Sequence, residues 1–236
     1  MIVGIVGDLH LPFTHPRYLE FIQDSFSDWG VKKVHFAGDI VDLHSLSFWE
    51  TDPNGMGAER EAQEAVKQLE KWYKAFPEST VSIGNHDERH FRKARSARIP
   101  DRYLREYSDI WRTPQWDWKF WHIFEGVLYE HGTGSLGKDA ALNRANAKRM
   151  SIVMGHVHSF GGVKYSASER DRIFGLNVGC GIDCDETAEH SYAFAYGKNF
   201  PSRPTLGCGI VCDGAAAYFE PMGCSTGEPY RRKQNK

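Results

Sequence analysis

Five short apolar runs, each ending in a cluster of Asp, Asn or His beside glycine, constrain this chain more than any other feature. Ile2–Val6 leads into Gly7-Asp8-Leu9-His10, and Val34–Ala37 into Gly38-Asp39-Ile40-Val41-Asp42. Thr80–Ile83 leads into Gly84-Asn85-His86-Asp87, Val127–Tyr129 into Glu130-His131-Gly132, and Ile152–Met154 into Gly155-His156-Val157-His158. The segments between them have helical texture. Pro16–Trp29 repeats Leu19, Ile22 and Phe26 before Gly30, and Ala58–Phe76 is rich in Glu, Ala, Gln and Lys and stops before Pro77. Glu88–Ile99 and Lys138–Met150 read the same way. Strands alternating with helices predict a layered α/β fold. In such sheets ligands bind at the carboxyl ends of the strands, where all five clusters fall.

After residue 160 the texture turns to strands: Val163–Tyr165, Arg172–Val178, Tyr192–Tyr196, Gly209–Cys212 and Ala216–Phe219. Asp213-Gly214 is a strong hairpin signal and Glu125-Gly126 a weaker one. No linker interrupts the chain, so its 236 residues read as one domain over 1–225 followed by a basic, flexible tail at 226–236. Lys and Arg number 29 against 31 Asp and Glu, a net charge of −2, which excludes a globally basic nucleic-acid coat and an acidic disordered chain. No apolar run approaches the roughly 18 residues of a membrane span, and Met1–Val6 meets Asp8 and His10 at once, unlike a secretory leader. The expectation is a soluble, cytoplasmic protein with no membrane partner. Cys180, Cys184, Cys208, Cys212 and Cys224 are odd in number and lie in strand-like sequence, so they read as buried thiols. The alternative, zinc held by the two Cys-x-x-x-Cys spacings, ranks below that.

Carboxylate, imidazole and amide oxygen without thiolate suit Mn, Fe, Zn, Ni or Co better than calcium or an iron–sulfur cluster. Asp8, His10, Asp39, Asn85, His131, His156 and His158 are too many ligands for one open site. Shared between two ions, with Asp39 bridging, they leave room for a water. Two such ions about 3.5–4 Å apart generate hydroxide near neutral pH and clamp the entering and leaving oxygens of an in-line displacement. That chemistry is phosphoester hydrolysis.

The series Asp-x-His, Gly-Asp-x-x-Asp, Gly-Asn-His-Asp, His and Gly-His-x-His resembles the calcineurin-like metallophosphoesterase superfamily. The resemblance runs from residue 4 to about 180, where Asn177-Val178-Gly179-Cys180 is similar to the family's closing turn. It implies a four-layer α-β-β-α sandwich of two mixed sheets with a dinuclear metal site at strand ends. It further implies that Asp8, His10 and His158 bind one metal, that Asn85, His131 and His156 bind the other, and that Asp39 bridges two divalent transition-metal ions, manganese first among them. His86 resembles the family's histidine that protonates the leaving-group oxygen, with Asp42 orienting its imidazole. Asp87 reads as the N-cap of the helix that starts at Glu88.

Two departures narrow the class. The Ser/Thr protein phosphatases continue their second block as Asp-Arg-Gly, with the arginine on the substrate phosphate; here it reads Asp42-Leu43-His44. The third block ends in Asp87 where those enzymes have Glu. The pattern sits nearer the phosphodiesterase and nuclease branches, with His44 a candidate substrate contact or a plain loop residue. Gly132-Thr-Gly-Ser-Leu-Gly-Lys138 mimics a dinucleotide fingerprint, but the next strand ends in Gly155-His156 rather than an acidic residue, so the glycines read as turn formers beside a helix N-terminus. Residues 89–121 carry Arg89, Arg92, Lys93, Arg95, Arg98, Arg102 and Arg105, then Trp111, Trp116, Trp118 and Trp121. Such interleaving suits a single-stranded nucleic-acid groove or, equally in appearance, a solvated helix followed by core tryptophans. The expected activity is hydrolysis of phosphodiesters, with monoesters as a further class, by in-line attack of a metal-bound hydroxide; the alternative is a DNA or RNA nuclease using the same site.

Overall fold

Alternation of apolar residues on both faces of the leading strand sets up the layers. In β1 (Ile2–Val6) Val3 and Ile5 face one way and Val6 the other, as the period of two requires. Val3 and Ile5 join Val127, Tyr129, Val153, Phe174 and Leu176 in a core between two sheets, while Val6 joins Ile22, Phe26, Leu69 and Trp72 in a core under helices. The computed structural model describes residues 1–51, 53–183 and 203–223. Tyr192–Tyr196, Cys184, Cys224 and the tail at 226–236 lie outside the described residues.

The first sheet has the order β11-β10-β1-β2-β3-β4, built from β2 (Lys33–Phe36), β3 (Ser79–Ser82), β4 (Asp117–Lys119), β10 (Gly207–Cys212) and β11 (Ala216–Pro221) beside β1. Here β1 to β4 run parallel, and β10 and β11 join antiparallel. The second sheet has the order β5-β6-β7-β9-β8, from β5 (Trp121–Phe124), β6 (Val127–Glu130), β7 (Ser151–Met154), β8 (Gly161–Ala167) and β9 (Arg172–Val178). Its β6, β7 and β9 are parallel, with β5 and β8 antiparallel at the edges. Both sheets are therefore mixed.

Helices cover the outer faces. α1 (Tyr18–Trp29) closes at Gly30 and buries Tyr18, Phe21, Ile22 and Phe26 against the first sheet. α2 (Ala58–Ala75) presents Ala65, Leu69 and Trp72, spaced by four and three, to the same core. Burying a side chain such as Leu69 fully contributes about 1.5–3 kcal/mol. α3 (Arg89–Ser96) and the short α4 (Tyr107–Ile110) follow β3, and α5 (Ala140–Lys148) packs Ala140, Ala141 and Ala145 on the second sheet. The result is the expected α-β-β-α sandwich, with no helix among the described residues long and apolar enough to cross a membrane.

Three local details bear on the sequence reading. Asp213-Gly214 and Glu125-Gly126 both turn hairpins with two successive positive φ angles, and the second is as tight as the first. The glycines at 132, 134 and 137 all have positive φ, which is their turn-forming role. The tryptophan tract holds two strands, β4 and β5, that the sequence did not mark. Trp111 and Trp116 are core side chains, Trp116 lying 4.4 Å from the Phe36 ring, while Trp118 is half-buried and Trp121 exposed. These four rings do not form one stacking surface. Cys180 and Cys208 are buried thiols and Cys212 is half-buried; burial pushes Cys208 up to about 12.

Candidate metal centre

β1, β2 and β3 are adjacent and parallel in one sheet, and β6 and β7 are adjacent and parallel in the other. Their carboxyl ends open on one rim, so the five clusters meet although up to 150 residues separate them in the chain. Three of the residues that arrive there, His10, Asp39 and His156, hold the left-handed backbone conformation that non-glycine residues rarely adopt. Strain of this kind costs of order 1–3 kcal/mol per residue and persists where the surroundings fix it.

Two donor groups form, and Asp39 belongs to both. Asp8, His10, Asp39 and His158 present ligand atoms within 4.8 Å of one another, and so do Asp39, His131 and His156. Asn85 joins the second group, its Oδ1 lying 3.1 Å from His131 Nε2. All seven sequence-selected ligand candidates thus sit together. His86 and Asp42 are beside them, in a third cluster with His10.

Hydrogen bonds behind the ring nitrogens decide which atoms face inward. His10 Nδ1 donates to Asp42 Oδ1 at 2.6 Å, and His131 Nδ1 donates to the Ala37 carbonyl at 2.9 Å. In the neutral ring each histidine keeps an Nε2 lone pair aimed into the site, the tautomer a metal ligand needs. Burial opposes a charge on His131, but Asp39 and Asp8 outweigh it and raise it to about 10, so an ion there would displace that ring's proton. There His10 Nε2 stands 3.1 Å from His158 Nε2, and His131 Nε2 stands 3.2 Å from His156 Nδ1 and from Asp39 Oδ2. Asp8 Oδ1 is buried with no hydrogen-bond partner among the described residues. Converging lone pairs and an orphaned carboxylate oxygen are costly without a cation and satisfied by one. The donor set fits divalent ions.

Charge on the carboxylates follows from the same packing. Burial works against ionising Asp39, yet His131, His86 and His10 around it hold it well below the usual carboxylate range. Asp42 is likewise buried and held low, by His86 and His10. Burial lowers His10 and brings His156 down to about 4, so both favour the neutral, ligating form. Burial opposes a charge on His86, but Asp39 and Asp42 outweigh it and raise it. Its Nδ1 lies 3.0 Å from Asp42 Oδ1 and 2.9 Å from the Asp42 carbonyl.

Two glycines admit the carboxylates. A Cβ on Gly84 would stand 2.1 Å from Asp39 Oδ1, and one on Gly155 would stand 2.0 Å from Asp8 Oδ1. A side chain at either position would expel a candidate ligand.

The structure corrects the reading of Asp87. It caps no helix: residue 88 holds the N-cap position, without a side-chain cap. Instead Oδ1 accepts from the Ile40 and Val41 amides at 2.9 and 3.2 Å, and Oδ2 from Gly84 at 2.9 Å, tying the loop after β2 to the loop after β3. Burial and the Asp39 carboxylate push Asp87 up to about 7. Glu61 of α2 does similar work unmarked by the sequence: fully buried, it accepts from the His44 and Ser45 amides at 2.6 and 2.9 Å and so pins the turn after Asp42. His44 is accordingly buried in that turn. Arg89, read only as part of a basic tract, reaches the site. Its Nη1 donates to the Asp42 carbonyl at 2.7 Å and its Nη2 lies 3.1 Å from His86 Nε2. The signal available in sequence was its offset of three from His86, which a single turn closes: the Arg89 amide donates to the His86 carbonyl at 3.0 Å just ahead of α3.

A two-sheet sandwich with carboxylates and histidines converging at its strand ends defines a class of proteins built to hold divalent metal ions. The chain belongs to the calcineurin-like phosphoesterase family, whose profile matches residues 1–181, and members of that family bind divalent metals. Among solved structures it is similar to wild-type Vps29 of Entamoeba histolytica complexed with zinc, at 12% identity over 94% of this chain and 93% of that one, with a TM-score of 0.46. It is similar to the phosphoesterase YfcE of E. coli, at 14% identity over 90% and 88% of the two chains and a TM-score of 0.41. The nuclease MPE of Pseudomonas putida is similar at 13% identity over 92% and 86%, with a TM-score of 0.34. No curated protein matches the sequence.

Proposed function

We propose that this chain is a dinuclear-metal phosphoesterase that hydrolyses phosphodiesters, with monoesters as a further substrate class. The observation that carries the reading is the sharing of Asp39 between two donor groups. Asp8, His10 and His158 would hold one ion, Asn85, His131 and His156 the other, and Asp39 both, with manganese the first candidate. When bound, two divalent ions lower the pKa of a water and neutralise charge on a phosphoryl group.

The protein's own groups supply the rest. Asp42 takes both Nδ1 atoms, of His10 and His86, so one carboxylate fixes a ligand and a proton donor together. With Nδ1 on Asp42, His86 has Nε2 to offer the leaving-group oxygen. Holding that imidazole oriented and charged is the arrangement general acid catalysis needs. Asp87 and Glu61 hold the loops after β2 and β3 through backbone amides, which keeps the Asp39–His86 distance fixed: the His86 amide donates to Asp39 Oδ1 at 2.8 Å.

The test is hydrolysis of p-nitrophenyl phosphate, bis-p-nitrophenyl phosphate, cyclic nucleotides and single- and double-stranded DNA by protein reconstituted with Mn, Fe, Zn, Ni or Co. Turnover of the bis ester above the mono ester, dependent on metal, supports the reading; no hydrolysis with any metal refutes it. A nuclease using the same site is the second reading. It is favoured by Arg92 and Lys93, which lie over the Phe48 ring further along the helix that carries Arg89. Steep loss of DNA affinity with salt would separate it from the first.

A further inference from the structure

We infer that Arg89 is the substrate-phosphate ligand of this site, standing in for the arginine that Leu43 displaces from the second block. The inference rests on the phosphoesterase reading. The Arg89 guanidinium rests on the His86 ring and on the Asp42 backbone. Nη2 lies 3.1 Å from His86 Nε2, and Nη1 donates to the Asp42 carbonyl at 2.7 Å with Asp42 Oδ2 at 3.6 Å. Because Nδ1 of His86 is committed to Asp42, Nε2 is the ring nitrogen left to meet a leaving group, and Arg89 covers it.

A guanidinium is a donor throughout, so the contact on Nε2 must be given up before that nitrogen can donate a proton. A phosphoryl oxygen arriving between them resolves the conflict: it accepts from Arg89 and leaves Nε2 directed at the ester oxygen. Arg89 is suited to the exchange. Its side chain is 13% exposed, partly shielded and still reachable. Two N–H groups are engaged as described, and the planar fork has three more, in the geometry that binds phosphate in pairs. The carboxylate that Arg89 approaches, Asp42, already accepts from His10 and His86, which leaves the guanidinium free to turn to a phosphoryl oxygen.

The experiment uses the full chain loaded with Mn²⁺, inorganic phosphate as the probe, and the variants Arg89→Ala and Arg89→Lys. Phosphate affinity is read by calorimetry, bis-p-nitrophenyl phosphate hydrolysis by kcat and KM, metal content by elemental analysis and folding by thermal melt. Expected is phosphate binding weakened roughly 10- to 100-fold in Arg89→Ala, the size of one lost charge-assisted hydrogen-bond pair, with both metals retained. KM should rise alongside, and Arg89→Lys, which keeps charge without the fork, should fall between. Unchanged phosphate affinity with a lower kcat would overturn the inference and make Arg89 a positioning group for His86; loss of metal would overturn it too. Phosphate binding that depends on Arg89 in a chain that hydrolyses nothing would sink the phosphoesterase reading and keep this one. Hydrolysis with phosphate affinity indifferent to Arg89 would do the reverse. A wild-type chain that neither binds phosphate nor hydrolyses the ester would end both.

Discussion

Replacing Gly84 by alanine tests whether the position of Asp39 organises the centre. The added Cβ would stand 2.1 Å from Asp39 Oδ1 and 2.4 Å from its backbone nitrogen, against the 3.0 Å below which real Cβ contacts essentially do not occur. The φ of Gly84 is not in the left-handed region, so alanine suffers no backbone strain there and the effect is purely steric. The contact must open by about 1 Å, and a displacement of that size at a reacting centre costs on the order of 100-fold in rate. Overpacking itself costs roughly 1–3 kcal/mol. For a chain of this length that corresponds to a fall in Tm of about 2–12 °C, at roughly 2–4 °C per kcal/mol. The matched control is Gly57→Ala, where nothing lies within 4 Å of the new Cβ; it costs only the poorer N-cap of α2, about 0.5–1 kcal/mol, and should leave metal content and kcat/KM unchanged. Metal content by elemental analysis, kcat/KM on bis-p-nitrophenyl phosphate and a thermal melt are read together. A Gly84→Ala protein with full metal occupancy and undiminished kcat/KM would falsify the idea that Gly84 sets the Asp39 position.

Asp39→Asn should lower metal content and activity together. An amide that keeps its oxygen toward the His86 N–H turns its NH₂ toward His131 and the cations, and elemental analysis finding both metals in place with activity intact would remove Asp39 from the bridging role. His86→Ala should retain both metals and lose roughly 10²–10⁴ in rate; p-nitrophenolate departs with little help, so esters of alkoxides should suffer more, and equal losses on both would point to phosphate positioning instead. His35, fully buried between Thr80 Oγ1 and Ser82 Oγ, is held well below its ordinary pKa by burial first and then by His122 and Lys33. The folded chain refuses a proton that the unfolded chain takes up below about pH 6.5, so His35 contributes stability above that pH and loses it as pH falls, by up to about 1.4 kcal/mol per pH unit. Urea midpoints of wild type and His35→Gln should diverge between pH 8 and pH 5, the variant showing the flatter slope; parallel curves would refute the assignment.

The layers were legible because β1, β9, α1 and α2 have one physical job each. Ile2–Val6 and Arg172–Val178 match β1 and β9 residue for residue, since both are buried runs bounded by turn formers. α1 and α2 show their apolar faces plainly through Ile22, Phe26, Leu69 and Trp72. β4 and β5 were hidden because they are three and four residues long and lie at sheet edges. Their exposed positions, Asp117, Lys119, Trp121 and Ile123, give a pattern that reads as a polar tract with aromatics.

The candidate ligands were legible for a different reason: Asp8, Asp39, Asn85, His131 and His156 each adjoin a glycine at a strand end, with His10 and His158 two residues further on, and that grammar is local. The residues that hold those ligands in place are not local. Asp87 acts on the amides of Ile40 and Val41, 47 and 46 residues away, and Glu61 acts on the amides of His44 and Ser45, 17 and 16 residues back. A carboxylate bonded to backbone N–H places no demand on the identity of its partner, so no second residue type marks the pair. Arg89 is intermediate. Its offset from His86 is visible in sequence, but its contact with the Asp42 carbonyl exists only because β2 and β3 are neighbours. The chemistry of the centre is thus written where the strands end, and its rigidity is written in which strands lie side by side. For that reason a variant such as Asp87→Asn, which keeps the side chain's volume but turns one acceptor into a donor facing either Gly84 or the Ile40 and Val41 amides, should loosen both loops at once.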